Sequence, residues 1–170
     1  MIVIDELTKA WAAGIFDGEG SALIERTGEH SYQICVAVAT TDSKISKPIM
    51  TCWGGHHRKT RDLNKWGKEG HSVFKIDYSV YFSEKEAYRF LIDILPYVRT
   101  KQDDILIVLR AILALPPVQE DTGRRARGSL KVLEPFYDEL WSVRPRGKGW
   151  RQKPLCSTAT SQIKDILRRS

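Results

Sequence analysis

Residues 11–20 of this chain read Trp-Ala-Ala-Gly-Ile-Phe-Asp-Gly-Glu-Gly, a small and apolar run that ends in two carboxylates set between glycines. Apolar and small residues recur at helical spacing from Leu7 onward, and Asp5 is available as an N-cap. This pattern predicts a helix that ends at the acidic pair. Because few polar side chains interrupt the run from Trp11 to Phe16, the helix must be covered from more than one direction.

The acidic pair has two interpretations. Asp17 and Glu19 lie where the helix macrodipole is negative, which disfavours each carboxylate by a few tenths to about 1 kcal/mol. A divalent cation would offset that cost, because carboxylates and the unpaired carbonyls of a helix C-terminus are the hard oxygen ligands that Mg2+ or Ca2+ prefers. The alternative is a tight turn, which Asp-Gly often forms. Spacing alone slightly favours the turn.

A stripe of small residues runs along the same helix. Gly14 and Gly18 are four residues apart, and Ala10 lies one turn earlier. Such stripes allow a second helix to approach at backbone distance. If that helix belongs to an identical chain, the symmetry brings two equivalent acidic ends together.

Composition narrows the class of protein. The 170 residues, 42% hydrophobic and 28% charged, suit one domain. The net charge of +6 favours a polyanionic partner, either nucleic acid or an acidic membrane surface.

No segment has the basic amphipathic pattern of a membrane-surface helix, and none resembles a spanning segment or signal peptide. We therefore expect a soluble intracellular protein without membrane partners, in a prokaryotic cytoplasm or an organelle such as a mitochondrion or chloroplast. Three separated cysteines predict neither disulfides nor structural zinc: Cys35, Cys52 and Cys156.

Two strands, a helix, a basic hairpin and further helices are predicted after the first helix, from alternation, capping residues and turn residues. Pro48 could delay the start of the second helix. The predicted elements are, in order, strands over 21–25 and 32–40, a helix over 44–53, hairpin arms over 56–61 and 72–78, a helix after the capping box of Ser83 and Glu86, helices over 100–115 and 130–143, a basic loop over 144–153 and a short terminal helix.

The segment from Ala12 to Ser21 resembles the signature of the LAGLIDADG homing endonucleases, in the form that ends in Asp-Gly-Glu-Gly-Ser. It departs at Ala12, where the family usually has Leu, and the acidic positions are intact. The resemblance implies an α+β fold with an α-β-β-α-β-β-α core and a four-stranded antiparallel DNA-binding sheet. It also implies one endonuclease domain over 1–170, with its core at about 5–115 and a C-terminal helical extension at about 116–170.

Only one copy of the motif is present, which in this family implies a homodimer whose two signature helices form the interface. The interface residues expected from the resemblance are Ala10, Ala13, Gly14, Asp17 and Gly18. A homodimer of this kind binds a long, pseudo-palindromic double-stranded DNA site and hydrolyses one phosphodiester in each strand.

The resemblance further implies catalysis by Mg2+, held by Glu19 of each subunit and by the carbonyl of Gly18. Ca2+ is expected to bind without supporting cleavage, and Mn2+ to substitute for Mg2+. Asp17 is expected to hold the helix end, with direct metal ligation as the alternative. Lys101, in a Lys-Gln pair, matches the family's basic residue near the scissile phosphate. The alternative for this lysine is a solvated helix start.

The same resemblance implies that Thr40 and Lys44 order the solvent around the metals. Thr41 is the alternative to Thr40. DNA contacts are expected on the open face of the sheet and in the basic loop. For each such residue the alternative is an ordinary exposed side chain. The candidates are Ser21, Glu25, Thr27, Gln33, Arg58, Lys59, Arg61, Lys75, Asp77, Arg144, Arg146 and Lys148, with Trp150 either packing on the core or stacking.

Two rival functions remain. His56, His57, Asn64 and His71 superficially resemble an HNH nuclease, but that site needs its last histidine on a helix, whereas His71 leads into a strand pattern. The second rival is a non-cleaving LAGLIDADG protein, either an intron maturase that binds RNA or a DNA-binding regulator. The presence of both Glu19 and Lys101 favours cleavage.

Overall fold

The first helix runs directly into the first strand at the acidic pair. The structure is a computed structural model that describes residues 3–29, 31–57, 78–118, 125 and 129–144. Helix α1 spans Glu6–Glu19, and strand β1 follows at Gly20–Gly28. The Asp5 carboxylate caps α1 by accepting the Thr8 N–H at 2.8 Å. These bounds confirm the predicted helix, its cap and its end at the acids.

Four strands form one antiparallel sheet in the order β1-β2-β4-β3, which confirms the predicted four-stranded sheet. Strand β2 spans Ser31–Val38, β3 His56–His57 and β4 Val80–Phe82. Compared with the prediction, β1 extends further in both directions and β2 ends two residues earlier. Most of the predicted basic hairpin lies outside the described residues.

The other described helices follow the first hairpin along the chain. They are α2 at Ser43–Trp53, α3 at Glu84–Ile94, α4 at Gln102–Ala114 and α5 at Glu134–Val143, the last preceded by a 3-10 turn at Ser129–Leu133. Pro48 lies inside α2 and does not delay its start, because Asp42 caps the helix by accepting the Lys44 N–H at 2.8 Å. Within the described residues, no helix is both long and apolar enough to cross a membrane.

The core lies between the helices and one face of the sheet. Phe90 of α3 is fully buried, and its ring contacts Phe82 of β4, Trp53 of α2 and Phe16 of α1, with centroid distances of 4.6, 5.3 and 5.7 Å. Helix α1 is thus covered by other elements, as its apolar sequence requires. A Cβ atom at Gly20 would collide with the Phe16 ring, so the turn from α1 into β1 needs glycine at that position.

Candidate active site at the end of the first helix

Asp17 is fully engaged within the chain. One carboxylate oxygen accepts the Arg99 N–H at 2.7 Å, and the other accepts the Thr100 N–H at 3.0 Å and the Thr100 hydroxyl at 2.7 Å. These three bonds attach the end of α1 to the segment between α3 and α4. The observed partners of the Asp17 carboxylate are thus in a segment distant in sequence.

Lys101 follows that segment and reaches back to α1. Its ammonium donates to the carbonyl of Phe16 at 2.9 Å and to that of Gly20 at 2.6 Å. Burial lowers the pKa of Lys101, and the nearby carboxylates of Asp17, Asp104 and Glu19 oppose part of that shift. Since the last turn of α1 contains no basic residue, Lys101 supplies the positive charge that this helix end lacks. The structure therefore places this lysine at the acidic end and half-buried, unlike a solvated helix-start lysine.

Glu19 differs from Asp17 in its surroundings. Its backbone carbonyl accepts the Ala39 N–H at 3.0 Å, next to the end of the β1–β2 ladder, and the residue is exposed. Its carboxylate has no hydrogen bond or ion pair to any residue that the structure describes. Glu19 is therefore the carboxylate at this helix end that is open to a ligand from outside the chain.

A metal fits this site only if further ligands come from elsewhere. Within 3–29, 31–57, 78–118 and the later described positions, no three acidic, histidine or cysteine side chains are close enough together to hold an ion. Glu19 offers one hard carboxylate, which Mg2+ accepts together with water and phosphate oxygens. The exposed Glu19 carboxylate therefore fits a metal only as one ligand among several, with the others coming from outside the described residues.

The two predicted solvent-ordering residues lie after β2. The Thr40 hydroxyl accepts the Asp42 N–H at 3.1 Å, and the Thr40 carbonyl accepts the Tyr78 N–H at 2.8 Å. Lys44 is exposed in the first turn of α2. Thr40 follows Ala39, whose N–H bonds the Glu19 carbonyl, so its backbone lies one residue from that contact. No hydrogen bond in the described part of the chain links Thr40 or Lys44 to Glu19 or Lys101.

One face of α1 is exposed and carries both apolar and small residues. Leu7 is 81% exposed and Trp11 is 37% exposed. Gly14 and Gly18 are also exposed, and a Cβ atom at either position would meet nothing within 4 Å. We call this set, Leu7, Trp11, Gly14 and Gly18, the α1 stripe. Ala10 is half-buried beside it.

Ala13 does not belong to the α1 stripe. It is fully buried in the chain's own core, so a second helix cannot contact it from outside. The expectation that Ala13 forms part of the interface is corrected on this ground. The reason is geometric, since Ala13 lies on a different side of α1 from Gly14 and Gly18 and packs with the core.

The open face of the sheet carries the predicted DNA-facing residues of β1 and β2. Glu25 pairs with Gln33 across the two strands, and both are exposed. Thr27 is exposed and its hydroxyl donates to Ser31 at 2.9 Å, while Ser21 is half-buried. The predicted residues in the basic hairpin lie outside the described residues: Arg58, Lys59, Arg61, Lys75 and Asp77.

Two residues of this face were missed. Tyr81 pairs with Ala37, and His56 pairs with Tyr81, so they continue the row that starts at Ser21. The two rings lie 6.3 Å apart. A strand of three residues gives too little alternation to be found from the sequence, whereas the adjacent histidines were placed in a predicted hairpin arm but were not considered as DNA contacts.

Arg144, predicted to contact DNA, is half-buried and bonded within the chain. Its guanidinium donates to the Asp104 carboxylate at 2.7 Å and to the Ala22 carbonyl at 3.1 Å. These bonds attach the end of α5 to the first turn of α4 and to β1. These partners favour a structural role for Arg144, and its assignment as a DNA-binding residue stays a prediction. Arg146, Lys148 and Trp150 lie outside the described residues.

The HNH interpretation gains no support from the described histidines. His56 and His57 form the two-residue edge strand β3, and the His57 ring nitrogen lies 3.2 Å from the Ser79 carbonyl. Neither belongs to a cluster of metal-binding side chains in the described ranges. Asn64 and His71 lie outside them.

Solved structures with this architecture cover almost the whole chain. The homing endonuclease I-CvuI, in complex with the I-CreI target in 2 mM Mg with the DNA not cleaved, gives a TM-score of 0.56 at 20% identity over 95% of both chains. I-CvuI in complex with its own target in 2 mM Ca gives 0.55 at 21% identity over 95% of both chains. The archaeal intron-encoded homing endonuclease I-Vdi141I, complexed with DNA, gives 0.55 at 16% identity over 96% of this chain and 98% of that chain.

No protein-family model matches the sequence, and no curated protein matches it. The structural likeness and the antiparallel sheet with its helices nevertheless define the fold class. The chain has the LAGLIDADG homing endonuclease fold. This confirms the fold that the resemblance of residues 12–21 implies.

Proposed function

We propose that the protein is a LAGLIDADG homing endonuclease that hydrolyses both strands of a long, pseudo-palindromic DNA site. The observation that carries the proposal is the contrast at the end of α1. Glu19 presents an exposed carboxylate that has no partner among the described residues, while the Lys101 ammonium lies at the same helix end. An acid open to a metal beside a cation suits hydrolysis of a phosphodiester.

The proposed active form is a homodimer joined through the α1 stripe. Exposed Leu7 and Trp11 supply apolar area, and Gly14 and Gly18 allow close approach of the partner helix. Among the described residues, the end of α1 offers one open carboxylate, that of Glu19, so a second copy would supply the second acid. Two-fold symmetry then places the two acidic ends side by side, as cutting of two strands requires.

Mg2+ is the proposed metal, with Glu19 and the Gly18 carbonyl as the ligands from each chain. When bound, such an ion activates water and stabilises the leaving oxygen. Ca2+ is expected to bind without supporting cleavage, and Mn2+ to replace Mg2+. Of the chain's own groups, the Lys101 ammonium would offset charge on the phosphate, while Thr40 and Lys44 would orient water.

The proposed DNA-binding surface is the open face of the sheet. Ser21, Glu25, Thr27 and Gln33 supply hydrogen-bonding groups there, and strands can read base edges in a major groove. The net charge of +6 favours contact with phosphates, which makes binding depend on salt. Cations expected to add to this surface are Arg58, Lys59, Arg61, Lys75, Arg146 and Lys148, and Asp77 is a further contact.

A non-cleaving nucleic-acid-binding role is the second candidate. It is favoured by one observation, namely that the Lys101 ammonium is held by two carbonyls of its own chain. A maturase would bind intron RNA, and a regulator would bind DNA, with the acids kept as part of the fold.

Selection from a randomised duplex library tests the proposal. The purified protein is incubated with the library in Mg2+ and, separately, in Ca2+, and the cut ends and the bound fragments are sequenced. We expect one long, pseudo-palindromic sequence to be cut in Mg2+ and bound uncut in Ca2+. Specific binding of DNA or RNA without cutting in any metal would support the second candidate instead.

A further inference from the structure

We propose that Asp17 is a positioning residue for Lys101 and does not serve as a metal ligand. The inference rests on the proposed function only for the role of Lys101 in DNA cleavage. The arrangement itself is a reciprocal contact between two helix ends. Helix α1 gives a carboxylate to the segment before α4, and α4 returns an ammonium to the end of α1.

The bonds of Asp17 occupy both of its carboxylate oxygens. The Arg99 N–H binds one oxygen, and the N–H and hydroxyl of Thr100 bind the other. A metal on either oxygen of Asp17 would compete with the donors already bound there. Glu19, two residues further along, has no such donors among the described residues. The two acids therefore have different tasks in spite of their closeness in sequence.

The start of α4 depends on this contact. Lys101 is at the N-cap position of α4, but its side chain caps nothing there, because it points back to α1. The two N–H groups bound by Asp17 belong to the residues immediately before Lys101. Asp17 thus fixes the backbone from which the Lys101 side chain reaches the carbonyls of Phe16 and Gly20.

The charge of Lys101 also supports a positioning role for Asp17. The Lys101 ammonium is half-buried, and a buried cation needs fixed oxygen partners. Two carbonyls at the end of α1 provide them only while the α4 start is held in place. Loss of the Asp17 bonds frees the segment at 99–100 and so releases the lysine.

The experiment is acylation of lysines in the free protein, without DNA or metal, followed by mass spectrometry. The variants are Asp17→Asn, Thr100→Val and Glu19→Gln, and exposed Lys85 on α3 is the internal control. In Asp17→Asn we expect the Lys101 rate to rise by at least about threefold relative to Lys85, because a held and half-buried amine becomes accessible. Thr100→Val removes one bond and should give a smaller rise, and Glu19→Gln should give none.

A second measurement separates positioning from ligation. Tb3+ titrated into each folded variant reports metal binding by luminescence. We expect Glu19→Gln to weaken or abolish the Tb3+ signal and Asp17→Asn to preserve most of it. If free protein gives no Tb3+ signal, the acylation result alone decides the assignment.

The proposal is overturned if Asp17→Asn leaves the Lys101 rate unchanged, or if it abolishes Tb3+ binding as strongly as Glu19→Gln while the protein stays folded. Should Asp17→Asn fail to fold, Thr100→Val decides, since an unchanged Lys101 rate in that variant excludes the positioning role. Because neither readout needs DNA cleavage, a protein that shows the expected acylation but cuts no DNA would keep this assignment and lose the proposed function.

Discussion

The Lys101 ammonium lies 2.6 Å from the carbonyl oxygen of Gly20. The N-cap residue of α4 thus contacts the C-cap residue of α1, 81 positions away in sequence. This contact joins α4 to the turn at which α1 becomes β1. The same turn carries Glu19, the open carboxylate. The Lys101 side chain therefore contributes both to the chemistry proposed for the site and to the contact between α4 and α1.

Replacement of Lys101 by Met is expected to affect both the stability of the fold and the rate of DNA cleavage. The carbonyls of Phe16 and Gly20 lose a charged donor, which should lower the free energy of unfolding by about 1–3 kcal/mol. The single-turnover cleavage rate should fall more than DNA affinity does, because the lost charge acts on the reacting phosphate. Urea unfolding and rapid-quench cleavage measure the two effects, with Lys101→Arg as the charge-preserving control. An unchanged single-turnover rate in Lys101→Met would remove this lysine from the mechanism.

Stability should depend on pH through the same group. Burial lowers the pKa of Lys101 from its ordinary value of 10.5, so between the lowered pKa and 10.5 the unfolded chain binds more protons than the folded chain does. Stability contributed by this group therefore rises with pH in that window. Comparison of urea midpoints of the native protein and Lys101→Met should show the native protein gaining relative to the variant as pH approaches 10.5. A relative loss over that window would contradict the lowered pKa.

The α1 stripe predicts the effect of a bulky substitution. Gly14→Leu should be accepted by the isolated chain, because a Cβ at this position meets no neighbour within 4 Å. It should nevertheless block close approach of a second α1 helix and shift the protein to monomers. Sedimentation velocity measures this shift, and Ala114→Leu, at an exposed position of α4, is the matched control. A Gly14→Leu protein that still sediments as a dimer would place the interface elsewhere.

Arg144 is expected to act on stability and not on DNA binding. Arg144→Met leaves the half-buried Asp104 carboxylate without its cation and should cost about 1–3 kcal/mol of unfolding free energy. The salt dependence of DNA binding should stay unchanged, since no phosphate contact is lost. Arg144→Lys should recover part of the stability. If instead the slope of affinity against salt falls by about one contact while stability is kept, Arg144 is a phosphate ligand after all.

Features set by local sequence were predicted well. The cap of α1 by Asp5, the capping box of Ser83 and Glu86, and the end of α1 at the acids all depend on residues within four positions of one another. Alternation also predicted the strand over 32–40, and the structure buries its Tyr32, Val36 and Val38. These are the patterns in which spacing along the chain determines spacing in space.

Features set by distant partners could not be predicted. The bonds of Asp17 to the segment at 99–100 and of Arg144 to Asp104 link positions 40 to 83 residues apart. Nothing in the local sequence of Arg144 distinguishes a cation paired inside the fold from one that extends into solvent. The burial of Ala13 was missed for a related reason, because an apolar helix leaves its inner and outer sides hard to separate by sequence.

Cleavage by Glu19→Gln tests the central claim most directly. The substitution removes one charge at an exposed residue and leaves its shape nearly intact, so the fold and DNA affinity should be preserved. The native protein and the variant are compared on the duplex selected by the native protein, in Mg2+ and in Ca2+, with binding measured in Ca2+. We expect the native protein to cut both strands in Mg2+ and the variant to bind the duplex without cutting either strand. Undiminished cleavage by Glu19→Gln in Mg2+ would contradict the assignment of this carboxylate to the metal.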